Sequence, residues 1–300
     1  MFNVTLPGTG GMLPLPSRFL TGLFVTHNGS ALLIDCGEGM QIALAKWGCK
    51  LAHLDIILIT HIHADHTAGL PGLLLSAGNY GKTSPLDIYC PEGAGDSLKK
   101  LMCICPEIPF EVRIYELSMS EGSRIMWNDI EINSLPLMHR VNCLGYSLCE
   151  KRLPVFDPKK ADKLGIPPKM RKLLHSGGTA EIGGKIYTQS DVVSDYRRPL
   201  KITYVTDTLY FDGVAEFAEK SDLFICEGMY GDDEYIPKMA EKRHMVFSQA
   251  AKLAAAADVG ELWLTHYSPA LPEPAEYEEF VRGIFENTVV SADGQKREVR

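Results

Sequence analysis

Five short apolar runs leave this chain little choice of fold class. "SALLIDCG", "LDIILIT", "LKITYVTD", "SDLFICEG" and "GELWLTH" are too short for buried helices and rich in branched or aromatic residues. Runs of this kind read as strands covered on both faces. Helix-like runs lie between them. "FSQAAKLAAAADVG" is alanine-rich and stops at Gly260, and "HTAGLPGLLLSAG" opens another helix despite its glycines and Pro71. All five strands end in polar residues: Asp35, Thr60 with His61, Asp207, Glu227, and Thr265 with His266. The carboxyl ends of buried strands are where α/β proteins commonly build sites.

One of those ends is unusually dense. "ITHIHADHTAGL" carries His61, His63, Asp65 and His66 directly after a buried strand. Imidazole and carboxylate are the ligand set of a catalytic zinc site that keeps water in its sphere. Four such groups so close together cannot all bind one ion without strain, so two ions are expected. One arrangement completes both spheres. His61, His63 and His139 hold the first ion, Asp65, His66 and His266 hold the second, and Asp207 bridges them. His139 follows "EINSLPLM", a further strand, whereas His27, His53 and His175 lack a comparable context. A bridged pair about 3.5–4 Å apart activates water at neutral pH and stabilises both attacking and leaving oxygens, so hydrolysis is the expected chemistry. A phosphodiester suits it, because two cations offset both its charge and the charge of its transition state.

Charge and composition narrow the class. The net charge is −8 and the pI near 5.6, which argues against a globally basic nucleic-acid binder. "MFNVTLPGTGG" lacks a signal-peptide pattern, and no apolar run approaches the roughly 18 residues that span a bilayer. Eight scattered cysteines in such a chain read as reduced thiols of a cytoplasmic protein, including the pair in "MCICPE". Lys151 to Arg198 stands apart: four prolines, several glycines and no evident core pattern. It reads as an inserted arm with a short helix and a turn-rich tip. From Lys151 to Lys185 it holds nine cations, among them Lys169, Arg171 and Lys172, against Asp157, Asp162 and Glu181.

Together these motifs resemble the metallo-β-lactamase fold superfamily and, within it, the ribonuclease Z family, whose members mature tRNA 3′ ends. "LLIDCGEGMQ", "THIHADHTAGLPGLL", "HRVNCLGY" from His139, "VTDT" around Asp207 and "LTHYS" around His266 carry the resemblance across nearly the whole chain, and "LGIPP" extends it into the arm. The resemblance implies an α+β, four-layer αβ/βα sandwich with an inserted arm. It implies a zinc-dependent endoribonuclease, with manganese as the alternative metal. That enzyme cuts tRNA precursors by a metal-bound hydroxide and leaves a 3′-hydroxyl. It also implies a homodimer in which each arm serves the neighbouring subunit's site, with Lys169, Arg171, Lys172 and Arg18 as substrate contacts. Glu227 and His244 are expected to pair, with His244 as the general acid; Asp65 is expected to accept a proton as well as bind metal.

The departures from the family pattern lie where substrate is chosen. Pro14 and Arg18 fit Pro-x-x-x-Arg-Asn, but Phe19 stands where the family has asparagine. "CEGM" keeps only Glu227 of His-Glu-Ala-Thr, and "HMV" keeps only His244 of His-Ser-Thr. Met245 and Val246 remove a helix cap that Ser248 takes over if the helix starts later. Two other readings compete: a hydrolase paralogue acting on a smaller phosphodiester or an ester, and an inactive RNA-binding module.

Overall fold

The computed structural model describes residues 1–105 and 107–300. The chain forms two compact units, one of residues Met1–Leu148 with Lys201–Arg300 and one of Cys149–Leu200.

The larger unit is built on two seven-stranded sheets. All five apolar runs form strands: Ser30–Ile34, Leu54–Leu58, Leu200–Val205, Leu223–Glu227 and Leu262–Thr265. In the first sheet Ser30–Ile34 runs parallel to Leu54–Leu58. In the second, the other three run parallel side by side. Within each sheet, therefore, the carboxyl ends emerge on one side.

Alternation along each strand decides what covers it. Leu33, Ile57 and Ile88 lie in register and share a core with Leu44, Leu73 and Leu98. Those three leucines come from the helices Met40–Lys46, Leu70–Asn79 and Gly95–Leu101. On the second sheet Phe224, Cys226, Leu262 and Leu264 pack in the same way with Phe247, Ala250 and Ala254 of the helix Phe247–Ala256. The intervening residues are buried too, including Leu32, Leu58, Tyr204, Ile225 and Trp263. Their cover is the opposite sheet. Tyr146 donates its hydroxyl to the Ile59 carbonyl at 2.7 Å, and the hydroxyls of Thr21 and Thr265 meet at 2.7 Å. The order is helix, sheet, sheet, helix: the four-layer sandwich of the metallo-β-lactamase fold. Among the described residues no helix is long and apolar enough to cross a membrane, and all eight cysteines are free.

The smaller unit differs from its expectation. It has two helices, Pro158–Lys163 and Pro168–His175, and short strand pairs. Ala161, Ile166, Leu174, Ala180, Tyr187, Val192 and Val193 form a core of its own. That core is not legible in the sequence, because its members come from many short elements and no single stretch is long enough to show a period.

One contact in the larger unit is intolerant of any side chain. The turn after Ser30–Ile34 lies against the histidine motif: Cys36 N–H donates to the His66 carbonyl at 2.8 Å, and Gly69 N–H to the Cys36 carbonyl at 2.9 Å. A Cβ on Gly69 would sit 2.0 Å from the Gly37 carbonyl oxygen. Gly69→Ala is expected to lower stability by about 1–3 kcal/mol or more through overpacking and to loosen metal retention, checked by denaturant titration with elemental analysis. Stability and metal content equal to the parent would show that the turn yields freely.

Candidate metal centre

The strand ends converge as their polarity requires. His61 follows the strand Leu54–Leu58, His63 sits at the start of the single helical turn Ala64–Thr67, and Asp65 and His66 lie within that turn. Asp207 and His266 follow strands of the other sheet, and His139 follows Ile130–Pro136. All seven expected ligands therefore reach one place. Asp35, Asp207 and His266 hold φ of 62°, 47° and 63°. Left-handed backbone is uncommon for residues with a Cβ and concentrates at functional sites.

The donor atoms form two sets. His61 Nε2 lies 2.9 Å from His63 Nδ1, which lies 3.3 Å from His139 Nε2. Asp207 Oδ2 completes this set at 3.5 Å from His61 and 3.8 Å from His139. His66 Nε2 and His266 Nε2 are 3.2 Å apart, and each is 3.5 Å from Asp65 Oδ2. Asp207 Oδ1 completes the second set at 3.5 Å from His66 and 3.2 Å from His266. Ligand bonds of about 2.0–2.1 Å around a tetrahedral ion put the ligand atoms roughly 3.3–3.4 Å apart. Separations of 2.9–3.8 Å in the first set and 3.2–3.5 Å in the second bracket that spacing, and one oxygen of Asp207 serves each, so the residues fit two divalent ions. Bound there, such ions supply Lewis acidity and an activated water.

Other groups orient the ligands. The Asp35 carboxylate bonds His66 Nδ1 at 2.7 Å and accepts from the Thr60 N–H at 2.8 Å, leaving His66 Nε2 for the centre. Thr60 Oγ1 lies 3.0 Å from His61 Nδ1, and the Arg243 carbonyl 3.3 Å from His139 Nδ1. Such partners fix ring orientation and raise ligand basicity. Gly11 packs so closely on His266 that a Cβ there would meet the ring at 2.7–2.9 Å. The sequence places Asp35 and Thr60 at strand ends without assigning them to the site, and that strand-end position is the available signal.

Electrostatics divide the donors by charge. Burial works against the charges of Asp207 and Asp65. The surrounding imidazoles, His266 and His66 foremost, nevertheless hold both well below the carboxylate range. Burial and neighbouring imidazoles push His61 down, and burial brings His139 to about 4, so both are neutral ligands at pH 7. For His66 burial is outweighed by Asp35 and Asp207, which raise it.

His244 and Glu227 form the expected pair. Their Nδ1–Oε2 distance is 2.8 Å, and the other oxygen of Glu227 accepts from Thr208 N–H at 2.6 Å. His244 Nε2 points toward Asp207 Oδ2 at 3.9 Å. Burial disfavours the imidazolium, but Glu227 and Asp207 outweigh it and bring His244 to about 9. Glu227 thus favours the protonated ring, which lies beside the donor cluster with Nε2 toward it. The ring opens into a cleft of about 340 Å³ with Met12, Asp65, Arg140, Met229 and Lys242 among its lining residues.

Arg18 lies elsewhere. It donates to the carbonyls of Leu271 at 3.0 Å and Pro272 at 2.8 Å, bracing the segment after His266. In the smaller unit Arg171 binds Asp162 and the Ile166 carbonyl, whereas Lys169 and Lys172 are exposed. Cys226, Met229, Met245 and Val246, where the family pattern is lost, are all buried. Cys226 and Met245 join the helix-side core, and Met229 and Val246 a smaller one. Ser248 does not cap the helix. Val246 stands at the cap position and its N–H donates to Gln249 Oε1 at 3.1 Å, while the buried Ser248 hydroxyl has no partner.

The chain is similar to known proteins. Residues 2–152 match a family model described as anti-Pycsar protein Apyc1. A protein of Lachnospira eligens named ribonuclease Z is 45% identical over 300 residues, covering 100% of this chain and 98% of its own. One of Clostridium acetobutylicum with the same name is 43% identical, covering 98% and 96%. The chain belongs to the ribonuclease Z family. Among solved structures, the short form of human tRNase Z superposes with a TM-score of 0.72 at 24% identity, over 99% of both chains. Membership with all seven ligands assembled makes the chain an enzyme, a metal-dependent endoribonuclease, and retires the reading as an inactive RNA-binding module.

Two outcomes follow from the geometry. Asp207→Ala is expected to abolish hydrolysis and lower metal content in both sets, read by elemental analysis; retention of two ions would remove its bridging role. His244→Ala should keep both ions and slow cleavage by roughly 10²–10⁴-fold. That loss should shrink for a nitrophenolate leaving group, which needs no proton. Equal losses on both leaving groups would assign His244 to phosphate positioning instead.

Proposed function

We propose that this chain is a zinc-dependent endoribonuclease that cuts tRNA precursors at the 3′ end of the tRNA and leaves a 3′-hydroxyl. One observation carries the reading: a carboxylate shared between two histidine-rich donor sets, with a protonated His244–Glu227 pair beside it. The full-length relatives named ribonuclease Z support the substrate class. The imidazole-dominated donor set favours zinc over magnesium or calcium; manganese is the alternative.

In this reading Asp65 takes the proton of the attacking water. The water oxygen bonds to phosphorus while the bond from phosphorus to the 3′ oxygen breaks. His244 Nε2 gives that oxygen its proton, so the tRNA keeps a 3′-hydroxyl and the trailer a 5′-phosphate. Glu227 holds the ring and its charge. The protein works as a cytoplasmic homodimer, supported by free cysteines and by exposed apolar side chains, Ile42, Leu75, Tyr80 and Ile104, on and around the helices Met40–Lys46 and Leu70–Asn79. The smaller unit grips the folded RNA by shape and backbone charge, with Lys169 and Lys172 free to do so and Arg171 partly engaged by Asp162.

Purified protein incubated with a tRNA precursor, and separately with a small chromogenic phosphodiester, tests the assignment. Cleavage of both supports it; cleavage of the small diester alone transfers the chain to the paralogue reading. Replacing Lys169, Arg171 and Lys172 together with Ala is expected to weaken precursor cleavage mainly through KM. It should also flatten the log–log salt dependence by about two units, with Arg171 contributing least. An unchanged salt slope would remove this unit as the RNA clamp.

A further inference from the structure

Two cations in the metal cleft have no assigned role. Arg140 follows the ligand His139, and Lys242 lies two residues before His244; both are exposed and both line the cleft that holds the metal ligands. Arg140 is not loose. Its Nη2 donates to the Glu241 carbonyl at 3.1 Å, while the Arg243 carbonyl receives His139 Nδ1 at 3.3 Å. These two bonds staple the segment around His139 to the end of the helix Ile236–Lys242, where Arg243 turns left-handed at φ 63°. The staple uses one guanidinium nitrogen and leaves the rest of the fork unused. No carboxylate engages either cation among the described residues. Met12, 49% exposed with φ 66°, also lines the cleft, its N–H held by Asp65 Oδ2 at 2.7 Å.

We infer that Arg140 and Lys242 bind a second phosphate of a single-stranded RNA, next to the one that is cut, with Met12 as the apolar surface for a base. The chemistry selects this ligand. The phosphate undergoing cleavage is already met by the seven-ligand centre and His244, so further cations at the same cleft serve an anion that a single diester lacks. A chain supplies one at each nucleotide. An anchored guanidinium is suited to phosphate because its planar fork matches two oxygens, and a nearby ammonium adds a mobile point charge. Cations combined with apolar or aromatic surface are how single strands are held without base readout. In a protein of net charge −8, these cations also oppose the general repulsion of RNA at the place where the strand must enter. This inference rests on the nuclease reading above, but it does not require the RNA to be a tRNA.

The test compares two substrates of the metal-loaded protein: a short single-stranded RNA oligonucleotide and bis(nitrophenyl) phosphate, which has one phosphate. Arg140→Ala and Lys242→Ala are each expected to raise KM for the oligonucleotide by about tenfold, the size of one charge-assisted contact, and to raise it much less for the single diester. Anisotropy of a labelled oligonucleotide, measured against salt on the slow His244→Ala background, should lose about 0.7 of log–log slope per cation removed. Arg140→Lys should restore the slope without restoring KM, because charge returns and the fork does not. Lys252→Ala, an exposed helix cation outside the cleft, is the control. Equal KM changes on both substrates, or an unchanged salt slope, would overturn the inference. If both effects hold and tRNA precursors are not cut, the second phosphate site stands and only the tRNA assignment falls.

Discussion

The centre depends on a buried carboxylate, Asp207, placed between two groups of imidazoles. Each of its oxygens faces a different set at ligand-to-ligand spacing. A carboxylate with about 2% of its surface exposed is unfavourable alone, and so many imidazoles in contact would repel one another if charged. The arrangement suits a receptacle for cations. Much of the surrounding structure maintains it: the left-handed turns at Asp35, Asp207 and His266, the glycine contact at Gly69, and the hydrogen bonds that orient the His66 and His61 rings.

The same crowding organises the acid. His244 lies between the helices Ile236–Lys242 and Phe247–Ala256, next to the cluster, and burial alone would strip its proton. Glu227, fully buried and fixed by the Thr208 N–H, opposes that loss. The pair is thus tied to the second sheet at both ends, through the strand that carries Glu227 and the helix that follows His244. Division of labour follows from geometry. The donor atoms gather at one point, the His244–Glu227 pair lies beside them, and Arg140 and Lys242 line the opening.

The departures from the family pattern take on a different meaning once their surroundings are known. Cys226, Met229, Met245 and Val246 look like damage to polar motifs when read in order. In the fold they are buried apolar side chains that fill the space behind Glu227 and His244. The lost cap is compensated in part by Gln249 closing on the Val246 N–H, and Ser248 pays for its burial with an unpartnered hydroxyl. Polar support has been exchanged for packing, while the two groups that reach the cleft are kept.

The sequence by itself determined the five apolar strands and the polar residues that follow them. Strand period and residue density are local properties, and they survive in a one-dimensional reading: "LDIILITHIHADH" announces both a buried strand and its cargo. Glu227 stood out only as a strand-end residue, and its pairing with His244 needed the family resemblance, since His244 has no distinctive local context. Tertiary structure alone decided the rest. It put Asp35 on His66 across a turn, gave each oxygen of Asp207 its own set, turned Arg18 away to brace the chain after His266, and gave the inserted segment a core. It also brought Arg140 and Lys242 into one cleft across a hundred residues of chain. The reason is physical: hydrogen-bond partners and shared cavities are fixed by which strands and loops meet in space, and that pairing is set by burial of the two sheet faces against each other.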